Sequence, residues 1–551
     1  MANKCASHTH CQAEQNPSFL IDPKLLERHH TLGVHRKDDG ALWIYTFRVW
    51  APRADSVHLV GDFAGWEKGR PMTALAHGMW EYHLTTEVQL EGMKYKYKLS
   101  SRGKAFYHTD PYAWQSEAFE NGASIVCTES RFHFQDTVWL AARHKEKDLS
   151  VASRPLHVYE IDPATWRTHN SRPSDEAFAV FGYRELADSL TPYVKGLGYT
   201  HVALSADMLT PPAYCSPSTR YGSLDDFLYF VNKLHSNGVG IIYPFPTVDL
   251  TLQFCDGICS YHCPGVVAYT LHALVHLIKH CHVDGFLLSG VSSDAAELAA
   301  FVANEIKKSH PDLLFLHKGS LSANLSAFDA VSNTCKENAL TRYLSCDPFF
   351  RRHHHSALSF DSPNLLCESD GSNRTLMSMI FGNYEEKFAT MRLYHTFRLL
   401  YPAALLDEMG NELAPFAPRR ADRELEWFLL DFSMHRRYFD FVKTANTFYL
   451  ENPALYAGTC QVLYENENDN TLVIARQIGN DRFLGVFNFS ALLLSDYCLP
   501  IQEKCHEVFS TDSLSFGGSG QENTRKELAT ESGIVLDIPP LSAVILKTNL
   551  I

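Results

Sequence analysis

The chain has no apolar run long enough to cross a bilayer, and its first residues carry no apolar segment of signal-peptide type. A soluble, cytoplasmic protein without membrane contact is therefore expected. Positive charge is in short supply. Lys and Arg number 49 against 63 Asp and Glu, a formal net charge of −14, which argues against a general partner for nucleic acid or anionic membranes. Metal-ligand spacing is missing too. Cys255 and Cys259 with His262 and Cys263 are followed by no second ligand pair, and the 14 scattered cysteines are expected to be reduced thiols. The run His353-His354-His355 is expected to be a solvated loop. Gly517-Gly518-Ser519-Gly520 lacks the Lys and the helix that a phosphate loop requires. No metal or cofactor is expected.

What is present is ordinary globular composition, 45% hydrophobic and 20% charged, in a length that allows about three domains of 100–200 residues. Residues 1–40 show no periodicity and are expected to form a mobile lead-in ending at Asp38-Asp39-Gly40. From Leu42 the pattern alternates, with Trp43, Tyr45, Phe47 and Val49 on one face. Further short runs at Val57–Val60, Trp80–Leu84 and Met93–Leu99, separated by turns, predict a β-sandwich over 41–130. The charged stretch Arg143–Asp148 leads into a different pattern. Helical stripes (Leu186, Leu190 and Val194; Leu271, Leu274, Val275 and Ile278) now alternate with short apolar runs such as Thr200–Leu204, Val239–Tyr243 and Phe286–Leu288. That alternation predicts a parallel (β/α)8 TIM-like barrel over 150–435. Strand patterns return at Thr471–Ile478, Phe483–Phe489, Cys505–Phe509 and Ile534–Ile538, predicting a C-terminal all-β domain over 440–551. The fold class is thus multidomain α/β, a barrel flanked by two β-domains.

Several strings carry a resemblance: FGYRELA, LGYTHV, STRYGSLDDF, MGNE from Met409 to Glu412, and CHVDGFLLSGV from Cys281 to Val291. They resemble the α-amylase superfamily (glycoside hydrolase family 13), in the form used by bacterial glycogen branching enzymes. FRVWAP, GDFAGW and YKYKL resemble the early-set carbohydrate-binding module that precedes the barrel there. The resemblance implies an α-glucan ligand. It makes Trp66, Trp80 and Tyr214 candidates for glycan contact, against the alternative that the tryptophans serve the sandwich core.

The same resemblance implies where the chemistry should stand. Retaining glucan transfer uses a carboxylate nucleophile and a carboxylic acid about 5–5.5 Å apart. The implied nucleophile position is Ser289, the acid/base position is Lys318, and the orienting Arg position is Leu287. A family Asp falls on Pro244 and family His residues fall on Asp249 and Asp162. The third carboxylate falls on Cys367 or on Asp361, depending on register. The donor-subsite loop, Met208–Pro217, is short. Pro244, Ser289, Lys318 and Cys367 or Asp361 are expected to cluster at the C-terminal ends of the strands. The expectation is an inactive homologue that binds α-glucan or serves a regulatory role beside a glycogen-metabolism protein. The alternative is an active branching enzyme using displaced carboxylates, drawn from Asp249, Asp284, Asp294, Asp361 and Glu368. Asp284 could equally make a turn, Asp294 could cap a helix, and Glu412 is expected to be structural.

Overall fold

The computed structural model describes residues 31–38, 40, 42–119, 122–149, 153–169, 180–205, 215–245, 264–289, 293–318, 327–331, 364–367, 375–525 and 527–549. The alternating run at Trp43–Trp50 forms a strand whose Tyr45, Phe47 and Val49 turn inward. It pairs with Gly33–Asp38 on one side and Met79–Thr86 on the other. A second sheet, built on Ser56–Gly61 and Lys94–Ser101, supplies Val57, Leu59, Tyr95 and Tyr97 to the same core. Asp110 closes the module, accepting the hydroxyls of Tyr95 at 2.7 Å and Tyr97 at 3.1 Å. Burial pushes its carboxyl up to about 6, against the hydrogen bonds that favour ionisation.

The strand Gly33–Asp38 corrects the expectation of an unstructured lead-in up to residue 40. Its His35, Arg36, Lys37 and Asp38 hide the alternation. Charged side chains of this kind belong on an edge strand, which needs no apolar outer face and is protected by charge.

The barrel is closed, with eight parallel strands: His157–Ile161, His201–Leu204, Gly240–Pro244, Gly285–Ser289, Leu314–Lys318, Ala330–Val331, Asn364–Cys367 and Ala403–Glu408. The first strand pairs with the eighth through Val158 and Leu406. Alternate residues point inward, so Val158, Ala203, Ile242, Leu287, Leu316, Leu365 and Leu406 fill the interior. The described outer helices include Tyr183–Gly196, Leu224–Ser236, Pro264–Cys281, Ser293–Lys307 and Tyr384–Leu400.

The charged stretch after residue 136 is more than a connection. Thr137–Lys145 is a helix with no buried residue of its own, which is why its apolar pattern is silent. It lays Trp139 and Arg143 across the N-terminal end of the barrel. Beyond the barrel, a five-stranded and a three-stranded antiparallel sheet form the C-terminal β-domain. They include Thr459–Asn466, Leu494–Leu499 and Ser542–Asn549 besides the strands expected from sequence. The backbone N–H groups of the Gly517–Gly520 turn are used internally. Ser519 and Gln521 donate to the Asp512 carboxylate and Gly520 to its carbonyl, leaving no phosphate cradle there.

Candidate functional site at the barrel mouth

Strand register decides which side chains share the mouth. Lys318 follows Leu314 and Leu316 at period two, so it continues the inward face at the last position of the fifth strand. It lies level with Ser289 on the fourth strand. The Ser289 side chain lies outside the described residues. Pro244 ends the third strand, opposite Leu287. Leu287 stands one layer below Ser289, level with Leu316, and is buried among the interior aliphatics. Cys367 ends the seventh strand and is buried. Asp249, Asp361, Glu368 and Tyr214 lie outside the described residues, as do Cys255, Cys259, His262, Cys263 and the histidine run.

Two residues that sequence reasoning missed complete the group. Glu160 and Glu408 end the inward faces of the first and eighth strands and stand opposite each other in register. The Lys318 ammonium donates to Glu160 Oε2 at 2.8 Å and to Glu408 Oε1 at 2.7 Å. Burial disfavours that charge, but the two carboxylates outweigh it, and the Lys318 pKa is raised above its ordinary value. A permanently charged, doubly paired ammonium is neither a proton donor at neutral pH nor an amine nucleophile. Glu408 is signalled only by its place before Met409-Gly410-Asn411-Glu412. Its meeting with Glu160 is a consequence of barrel closure, which no local spacing encodes.

The neighbouring polar residues are committed to structure. Asp162 caps the short helix Pro163–Trp166, accepting from Ala164 N and Thr165 Oγ1, and pairs with Arg419 at 2.9 Å. Glu412 is buried and accepts the hydroxyls of Tyr159 and Tyr193 and the N–H of Gly410, so it is structural, as expected.

Asp284 is not at the mouth. It precedes the fourth strand, about 16 Å along the strand from Ser289 at roughly 3.3 Å per residue. It belongs to a buried ion network on the barrel floor. Trp139 Nε1, Arg143, His235 Nε2 and the N–H of Ile241 all donate to it within 2.9 Å. His235 bridges on to Asp136, which also pairs with His282. Asp284 is therefore removed from the displaced-carboxylate candidates, because its oxygens are already filled at the wrong end of the barrel. Asp294 stands in the first turn of Ser293–Lys307.

The family pattern of carbohydrate-binding module 48 (isoamylase N-terminal domain) matches residues 31–113, and that of the alpha amylase C-terminal all-beta domain matches residues 463–549. A 1,4-alpha-glucan branching enzyme GlgB of Protochlamydia amoebophila is 28% identical, the match covering 95% of this chain and 83% of that one. The enzyme of the same name from Fusobacterium nucleatum is also 28% identical, covering 91% of this chain and 94% of its own. The chain is a homologue of the 1,4-α-glucan branching enzymes. The fold agrees with amylase-type architecture. A pullulanase from Paenibacillus barengoltzii, solved in complex with maltohexaose and alpha-cyclodextrin, superposes with a TM-score of 0.71 at 15% identity, covering 96% of this chain and 97% of that one.

In this branching-enzyme homologue the two tryptophan candidates of the N-terminal module separate. Trp66 is exposed, with its Nε1 donating to Asp62 Oδ1 at 3.1 Å. Trp80 packs against the sandwich core, and its Nε1 donates to the Ala51 carbonyl at 3.1 Å. Trp80 thus serves packing, and Trp66 keeps an accessible ring. Among the described residues no helix is long and apolar enough to cross a membrane.

Proposed function

We propose that this branching-enzyme homologue carries out no glucan transfer and acts as an α-glucan-binding protein of the cytoplasm, regulatory beside a second protein of glycogen metabolism. The observation that carries the proposal is the Glu160–Lys318–Glu408 ion group. If Lys318 holds the acid/base position, an ammonium stands where leaving-group protonation is required. The same ammonium engages Glu160 and Glu408, the carboxylates that could otherwise face an oxocarbenium-like transition state. Leu287 removes the orienting cation, and Ser289 has no carboxylate to attack the anomeric carbon.

A rebuilt site using Glu160 and Glu408 as the catalytic pair is disfavoured by the same geometry. The two carboxylates face each other across the Lys318 Nζ, which fills the space a scissile bond would need. Glucan binding is supported by the carbohydrate-binding module over residues 31–113 and by the α-glucan substrate in the names of the enzyme relatives. Purified protein is expected to co-sediment with glycogen and to be released by maltoheptaose. Absence of co-sedimentation would remove the binding half of the proposal.

A further inference from the structure

Phe381, Tyr384, Phe416, Phe428 and Phe432 are each between 40% and 79% exposed. Three of these rings gather around one buried side chain. Tyr384, Phe416 and Phe432 lie with centroids 6.4, 6.1 and 6.2 Å from the His435 ring. Phe381 stands just before the Asn383 cap of the helix that Tyr384 opens, and Phe428 lies on the short helical segment Trp427–Asp431 that leads into Phe432. The mounting is rigid. Asn383 and Glu386 cap each other's backbone at the start of the Tyr384 helix. The Phe416 carbonyl accepts from Thr375 Oγ1, and His435 Nδ1 donates to the Leu413 carbonyl at 2.7 Å. Rings held in this way lose little freedom when they are covered.

The charges among the rings are of both signs. Residues 416–437 hold five Arg (Arg419, Arg420, Arg423, Arg436 and Arg437), four acids (Asp422, Glu424, Glu426 and Asp431) and no Lys. The chain as a whole carries −14, so two copies repel over most of their surface, and this near-balanced stretch escapes that repulsion. Aromatics and Arg without Lys are also what distinguishes a protein interface from open surface. Arg420 and Arg423 share the one Asp422 carboxylate, at 2.5 and 3.8 Å. When a face meets its own copy, the Arg of one molecule can therefore find an acid of the other. The area is sufficient. At about 150–250 Å² for a whole ring, the exposed parts of the five amount to about 400–700 Å². The arginines around them bring the face to roughly 800 Å², which is what each partner buries in a standard interface.

We propose that this aromatic and arginine face pairs with the same face of a second copy of the chain, forming a two-fold symmetric dimer with the rings at its centre. Pro415 and Ala417, on either side of Phe416, line a cavity that reaches Glu408, so the contact borders the barrel mouth. The pairing stands apart from the glucan-binding function proposed above.

Sedimentation velocity of the full chain tests it, with thermal unfolding as the fold check. Interfaces of this size span micromolar to picomolar dissociation constants, so the wild type is expected to be dimeric at about 10 μM. Phe381→Glu with Phe428→Glu puts four carboxylates into the apolar centre of each dimer. That variant should associate about a hundredfold more weakly, or worse, and sediment as a monomer while melting like the wild type. If it melts early, Phe381→Ser with Phe428→Ser takes its place and should still weaken association about tenfold. Leu492→Glu, which charges a comparably exposed apolar side chain in the C-terminal domain, should remain dimeric. A wild type that is monomeric up to about 100 μM overturns the proposal, because whatever covers the rings is then not a second copy. A dimer that survives both double substitutions overturns it as well and puts the contact on another surface.

Discussion

Asp284→Ala is expected to lose about 3–5 kcal/mol of stability, the range for removing one partner of a buried ion pair. The measurement is denaturant unfolding at pH 7. The loss is large because four donors converge on the buried carboxylate, and its removal leaves Trp139 Nε1 and the Ile241 N–H without their acceptor and Arg143 and His235 with one carboxylate each, Asp312 and Asp136. The same network sets a pH window. Burial opposes the His235 charge, but Asp284 and Asp136 outweigh it and raise the pKa to about 9. The folded value exceeds the ordinary value of about 6.5, so this contribution is complete below that pH and is lost as pH rises through about 9. It amounts to something on the order of 3 kcal/mol. Burial likewise opposes ionisation of Asp284 and Asp136, yet their histidine partners, with Arg143 beside Asp284, depress both pKa values. That stability is present above about pH 4 and is lost as pH falls further. His235→Gln should flatten the alkaline arm of the stability curve. An unchanged arm would contradict the placement of His235 as a buried cation.

Lys318→Glu carries the second large effect. Restoring the carboxyl that the resemblance implies would bring three carboxylates together, Glu160, Glu408 and the new side chain, with the shared counter-ion gone. Like charges at that distance raise one another's pKa. The variant should be less stable than the wild type by a few kcal/mol at pH 7. A carboxyl whose folded pKa is raised destabilises only while it is ionised, so the deficit should shrink towards pH 5. Activity should not appear. Groups in one catalytic unit act non-additively, so restoring one of several leaves the barrier nearly where it was. Ser289→Asp alone is expected to be equally silent. Lys318→Glu with wild-type stability at pH 7 would show that the ammonium does not hold the mouth together.

The sequence made the architecture legible because its signals are periodic. Period two marked the sandwich and the C-terminal domain, and the helix–strand alternation marked the barrel between them. Local strings such as Met409–Glu412 gave the resemblance its hold. What stayed hidden depended on distance in the chain. Glu160 and Glu408 are 248 positions apart by their residue numbers and meet only because the first and eighth strands close the barrel. Asp284 looked like a turn residue or a displaced catalyst. It is neither free nor at the mouth, because Thr137–Lys145 brings Trp139 and Arg143 under it, and that helix buries no apolar stripe to announce itself. Gly33–Asp38 was masked by its own charges, which an edge strand tolerates. Trp80 and Trp66 look alike in sequence and differ in what surrounds them: one ring is packed, the other is open.

The most direct test of the central proposal is an amylose–iodine assay on the purified wild-type protein, with chain-length analysis of the product. Branching shortens the helical stretches that bind iodine and lowers the absorbance. The Glu160–Lys318–Glu408 group predicts no change in absorbance and no new chain-length distribution at any enzyme concentration at which glycogen is bound. A fall in absorbance that is abolished by Asp249→Asn, Asp361→Asn or Glu368→Gln would contradict it, and would mean that displaced carboxylates had rebuilt the site.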